Sequence, residues 1–155
     1  MQLPVGFISV HTDAVVFLET QEVTFGVIIK DNRGEYIAAK SGHLRCLLDA
    51  HIAEAVAIRV ALSWVKERGH SKVMMYTDCQ MVCKLFNGNL LDLSFAGCVI
   101  NDCRELSRHF ESVSVKFISR SVNKAAHVLA RAARSLVRLF GILLFLLVLN
   151  NLFNE

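Results

Sequence analysis

The chain has 155 residues, of which 54% are hydrophobic and 20% charged, with eight glycines and a single proline. That balance describes one domain with a sizeable core and excludes a disordered, collagen-like or linker-rich chain. The formal net charge of +3 permits a nucleic-acid partner without selecting one, because binding depends on where the charges sit.

Residues 7–13 alternate in polarity and read as a strand with Phe7, Ser9, His11 and Asp13 on one face. Residues 24–30 form a second strand, apolar from Phe25 to Ile29. The run Asp31-Asn32-Arg33-Gly34 is a turn, and residues 35–40 return as a third strand, which makes an antiparallel hairpin. Residues 50–68 read as a long helix on the spacing of Ala53, Val56, Ala57, Val60, Ala61 and Trp64, with Gly69 closing it. A fourth strand over 72–77, a short helix over 79–86, a loop over 87–92, a helix over 95–110 and a fifth strand over 113–119 follow. A last helix starts near Val122, with Ala125, Val128, Leu129, Ala132, Ala133 and Leu136 as its core stripe. Three strands in succession and then alternation with helices imply an α/β domain built on a mixed five-stranded sheet covered by helices.

Residues 139–149 are an uninterrupted apolar run, and no charge falls between Arg138 and Glu155. The run is shorter than the roughly 18 residues of a spanning helix. It reads as a helix packed on the domain, a marginal membrane anchor, or an end foreign to the fold, so the domain is placed at 4–138 and the tail at 139–155. The five cysteines are an odd number without the spacing of a secreted framework. No basic start followed by an apolar run opens the chain, and an intracellular compartment, nuclear or cytoplasmic, is expected. Cys79, Cys83, Cys98 and Cys103 lack the usual zinc-ligand spacing and are read as buried thiols.

Glu54 is the most informative single residue. Between Ile52 and Leu62 the other charge is Arg59, and the positions three and four away offer Glu54 no permanent cation. It needs a metal ion, a distant basic group or solvent, unless it is a partly exposed glutamate near the helix start. Asp13 ends the first strand and Asp78 the fourth. Either could be local, Asp13 opening a turn and Asp78 capping the next helix. If the two strands are parallel neighbours, both acids lie at one sheet edge, where α/β folds place ligands, and a glutamate from the crossing helix would complete a site for Mg²⁺ or Mn²⁺. Arg120, Lys124, His127, Arg131, Arg134 and Arg138 step by four and three along the last helix, either a track for a phosphate backbone or a solvated face. No nucleophile elbow, phosphate loop or dinucleotide fingerprint is present, which removes serine hydrolase and nucleotide-cofactor chemistry.

Five stretches resemble the plant reverse-transcriptase-like RNase H domains, a retroelement-derived branch of the ribonuclease H-like superfamily. They are residues 4–13 closing on His11-Thr12-Asp13, residues 26–35 from Gly26 through the turn, Ala53-Glu54-Ala55-Val56-Ala57, Tyr76-Thr77-Asp78-Cys79, and residues 120–130 around Asn123-Lys124-Ala125-Ala126-His127. The resemblance implies a sheet ordered 3-2-1-4-5 with strand 2 antiparallel. It also implies metal-dependent cleavage of the RNA strand of RNA–DNA hybrids, with Asp13, Glu54 and Asp78 holding two Mg²⁺ or Mn²⁺ ions and His127 at the fourth catalytic position. Three features depart from the family pattern. His127 replaces a fourth acid, as in many plant copies, Ala14 replaces a glycine at a turn beside the site, and the apolar tail has no counterpart. The rival expectation is a domesticated binding module, or a retroelement relic, that keeps the fold without catalysis.

Overall fold

A computed structural model describes residues 2–88 and 92–135, together with Asn150. Among the described residues the order is β1 (Ile8–Phe17), β2 (Glu22–Lys30), β3 (Tyr36–Leu44), α1 (Ala50–Glu67), β4 (Lys72–Thr77), α2 (Gln80–Asn87), α3 (Phe95–Ser107), β5 (Ser112–Phe117) and α4 (Lys124–Ala132). The sheet runs β3-β2-β1-β4-β5. Strand β2 is antiparallel to both its neighbours, and β4 is parallel to β1 and β5. This is the order that the family resemblance implies. The β2–β3 turn is built by Asp31, whose Oδ1 accepts the N–H groups of Arg33 and Glu35 at 2.9 Å, and by Gly34 at φ +85°, a backbone region that glycine enters without a Cβ clash.

Helix α1 starts at Asp49, whose carboxylate accepts the Ile52 N–H at 2.9 Å, a cap that contributes about 1 kcal/mol. Its buried face is wider than the sequence stripe. Ile58, Leu62 and Val65 are fully buried, whereas Val60 and Trp64 are only partly covered. The helix lies between the sheet and α3, so two faces rather than one are removed from water. The main core forms on this side, from Val10, Val27, Ile29, Val73 and Met75 of the sheet against Ala57, Ala61 and Ile100 of the helices.

Helix α4 packs on β2 and β1. Its buried residues are Ala126, Leu129, Ala130 and Ala133, so the stripe is rotated by about one residue from the sequence expectation, and the helix begins at Lys124 rather than Val122. The reason lies on β2. A Cβ at Gly26 would collide with the Ala126 carbonyl and sit 2.8 Å from the Ala130 nitrogen. Beside it, Thr24 Oγ1 donates to the Ala130 carbonyl at 2.5 Å, and Ile28 packs on Leu129. A bare glycine backbone therefore lets the helix touch the sheet. Leu136, Arg138 and the apolar run 139–149 lie outside the described residues, as do positions 89–91 of the expected loop.

The thiols divide. Cys103 is fully buried, and burial pushes its pKa up to about 12. Cys79 and Cys83 pack partly against the core. Cys98 is exposed, contrary to expectation, because α3 turns it away from α1 while Val99, Ile100 and Cys103 take the inward positions.

Two outcomes follow from this packing. Gly26→Ala should lower unfolding stability by about 2–3 kcal/mol, the cost of forcing a methyl group into a closed contact, read as a shift in denaturant midpoint. Alkylation at pH 8 should label Cys98 in the folded protein and spare Cys103 until denaturant is added. Equal labelling of the two would contradict the packing of α3.

Candidate metal centre

Strand β1 keeps its antiparallel ladder with β2 from Ser9 opposite Lys30 to Phe17 opposite Glu22. With β4 it pairs only from Ile8 opposite Val73 to His11 opposite Tyr76. Asp13 lies two residues beyond the parallel pairing, and Asp78 directly follows the last residue of β4. The first strand thus continues four residues past Asp13, and Asp13 opens no turn. Ala14 sits in regular strand opposite Phe25, so the turn expected beside the site is absent and alanine is accommodated there. Where β4 leaves β1, the free Ala14 N–H is taken by Glu54 Oε1 at 3.1 Å. Glu54 comes from the second turn of α1, and this bond draws it into the gap between the strands.

The three acids converge. Asp13, Glu54 and Asp78 each offer a carboxylate oxygen within 4.8 Å of the others. Asp13 is fully buried and Glu54 is 6% exposed, which excludes the partly exposed helix-start reading of Glu54. The Asp78 side chain is 4% exposed and does not cap α2, where Cys79 stands at the cap position. Burial, followed by the charge of Asp13, raises the Glu54 carboxyl well above the ordinary range. The same two causes raise Asp78, and Arg120 partly offsets them. Asp13 Oδ1, Glu54 Oε2 and Asp78 Oδ2 are buried and receive no hydrogen bond. Buried oxygens left bare cost free energy, and bare carboxylates side by side repel. A hard divalent cation removes both penalties, and an all-oxygen donor set suits Mg²⁺ or Mn²⁺. Among the described residues no other group of three or more acids, histidines or cysteines is placed to hold a metal.

The basic residues of the last segment do not form one stripe. His127 Nδ1 lies 2.6 Å from Asp13 Oδ2. Arg120 precedes α4, and its Nε lies 3.7 Å from Asp78 Oδ2. Arg131 and Arg134 stack over the Phe17 ring at 5.7 and 4.2 Å from its centroid. The even spacing therefore hides three destinations, and Arg138 lies outside the described residues. Sequence reasoning assigned no role to Asn123. It is 1% exposed, and its Nδ2 donates to the Thr12 carbonyl at 2.8 Å, tying the start of α4 to β1 beside Asp13. An asparagine before a helix reads as an N-cap, but this side chain makes no cap bond. His11, on the face of Asp13, stacks on Tyr76 at 4.9 Å. Burial and then Lys30 bring its pKa down to about 4, so it stays neutral and outside the acid cluster.

Beside the acids opens a cavity of about 590 Å³, bordered by His51, Gln80, Lys84, Phe117 and Arg120. The carboxylate pair Glu54 and Asp78 lines it together with the cationic side chains of Lys84 and Arg120.

The match to known proteins agrees with this geometry. Residues 11–133 match the family described as reverse transcriptase-like. RNase H1 from the halophilic archaeon Halobacterium salinarum NRC-1 superposes with a TM-score of 0.76 at 20% identity, over 83% of this chain and 98% of that one. The N-terminal RNase H domain of a Mycobacterium tuberculosis protein gives 0.73 at 14% identity, over 82% and 92%. LC11-RNase H1, solved in complex with an RNA/DNA hybrid, gives 0.72 at 17% identity, over 81% and 95%. No curated protein matches the sequence. At these identities the structures establish the fold, and the family match covers most of the chain: this is an RNase H-like, retroelement-related domain that belongs to the reverse transcriptase-like family.

Proposed function

We propose that this domain binds RNA–DNA hybrids and hydrolyses their RNA strand with the help of Mg²⁺ or Mn²⁺, leaving 3′-hydroxyl and 5′-phosphate ends. The observation that carries the reading is the trio of buried, hydrogen-bond-free oxygens on Asp13, Glu54 and Asp78 at one end of the sheet. The hybrid-bound state of LC11-RNase H1, a protein of the same fold, supports a hybrid as the partner.

In this reading Asp13, Glu54 and Asp78 are the metal ligands. A bound divalent cation supplies Lewis-acid charge at the scissile phosphate and lowers the pKa of water. Glu54 is kept in place by the Ala14 N–H, which leaves its second oxygen as the ligand for the cation. Lys84 and Arg120, which line the cavity, offer positive charge to the neighbouring phosphates. His127 and Asn123 hold Asp13 and Thr12 from the α4 side, so they act as positioning residues. The working domain is placed at 4–138, in a plant retroelement-derived lineage and a reducing intracellular compartment, which suits the free thiols of the described residues. Among the described residues no helix is long and apolar enough to cross a membrane.

A second reading, a binding module without turnover, is favoured by one feature: His127 stands on Asp13 at the position where the family resemblance implies a fourth acid. Purified protein, a labelled hybrid and Mg²⁺ or Mn²⁺ separate the two. Cleavage that falls about 100-fold or more in Asp78→Asn, with hybrid affinity kept, supports the nuclease. Salt-sensitive hybrid binding with no cleavage above that variant supports the module.

Glu54→Gln tests the electrostatics. The folded state raises the Glu54 pKa above its ordinary value of 4.5, so ionising this group destabilises the fold as pH rises through and above that value. The metal-free variant should therefore melt higher than wild type at pH 7. The gap should close as pH falls toward 4.5, and Mg²⁺ should stabilise the variant less than wild type. A metal-free variant that melts lower at pH 7 would contradict the buried-charge account.

A further inference from the structure

We propose that the acidic cluster holds a single divalent cation, and that His127 occupies the place on Asp13 that a second cation would need. The inference rests on the metal-dependent reading above and replaces the two ions that the family resemblance implies.

The argument is an inventory of free oxygens. Asp13 has Oδ2 engaged by His127 Nδ1 at 2.6 Å, leaving Oδ1. Glu54 has Oε1 engaged by the Ala14 N–H, leaving Oε2. Asp78 presents Oδ2, buried and without a hydrogen bond, 3.7 Å from Arg120 Nε. One bare buried oxygen thus remains identified on each acid, and the ligand oxygens of the three acids lie within 4.8 Å of one another. Opposite ligands of an octahedral Mg²⁺ stand about 4.2 Å apart, so a small contraction closes the group around one ion.

A second ion finds no further buried, bare oxygen on the three acids. Two cations about 4 Å apart are bridged by a carboxylate that turns one oxygen to each. Asp13, deepest of the three with its side chain 1% exposed, is the acid that lies between the strand gap and α4, and its α4-facing oxygen is taken. Helix α4 is held on the sheet by the Gly26 contact and the Thr24 bond, which keeps His127 on that oxygen. Charge points the same way. The three carboxylates carry at most three negative charges, Arg120 already stands on one of them, and imidazole in either protonation state adds none. Two divalent cations would leave this buried site strongly positive, whereas one leaves it nearly balanced with Arg120.

The test counts ions rather than turnover. The full chain, freed of metal, is titrated with Mn²⁺ and free Mn²⁺ is read by electron paramagnetic resonance. Wild type should take up one equivalent, Asp78→Asn should lose it, and His127→Asp, which supplies a fourth carboxylate beside Asp13, should take up two. Two equivalents in wild type would overturn the proposal and leave the metal-dependent nuclease standing. A count of one without hybrid cleavage would support it while removing the nuclease. No uptake by wild type would overturn both. Should His127→Asp fail to fold, the wild-type count decides the matter alone.

Discussion

Strand β1 pairs with β2 over nine of its ten residues but with β4 over only four, and the site exists because of that inequality. A strand buried between two neighbours has its N–H and C=O groups filled by them. After His11, β4 stops filling the side that faces it, and the opened backbone must find another partner. The Ala14 N–H finds Glu54, and Asn123 reaches the Thr12 carbonyl from α4. Residues from opposite layers of the fold are thus drawn into one gap by the backbone's own requirement for hydrogen bonds. The acids meet there because the sheet parts there, which is where ligands bind in open α/β sheets.

Such a gap is unfavourable without a ligand. Three buried carboxylates share one space, and both Glu54 and Asp78 hold their protons more tightly than they would in solvent. The core elsewhere must offset this. It does so with a helix α1 packed on two sides, whose Ile58, Leu62 and Val65 lose all contact with water, each contributing roughly 1.5–3 kcal/mol. Glu54 sits on that same helix. The element that carries the costliest charge is therefore also among the best packed, which leaves the helix little freedom to turn the carboxylate back to solvent.

The sequence of strands and helices and the three acids are legible in the sequence because they rest on local signals: alternation, a turn built by Asp31 and Gly34, and carboxylates set into apolar runs. The resemblance to a known family supplied the strand order itself. The remainder depends on partners that a linear reading does not see. The end of β1 is Ala14-Val15-Val16-Phe17, which does not alternate, and its strand character comes from the ladder with β2. The stripe of α4 is set by the contact at Gly26, a residue that in sequence reads as one more strand position. The basic spacing from Arg120 to Arg134 suggests one helix face, yet Arg120 lies outside the helix and the last two cations turn onto Phe17. Asn123 resembles a cap and serves β1 instead.

The closing segment, from Arg120 to His127, reaches all sides of this problem. Its guanidinium stands by Asp78, its imidazole by Asp13, and its amide holds Thr12. Only Glu54 is left to a backbone N–H. The segment thus serves as the cluster's own set of counter-groups, and any ion that enters must share those carboxylates with it. Metal affinity and the seating of α4 are then linked: what holds His127 on Asp13 also limits what can bind there. Gly26 matters for the same reason, although it touches no ligand, because the closeness of helix and sheet that it allows fixes the distance at which His127 meets Asp13.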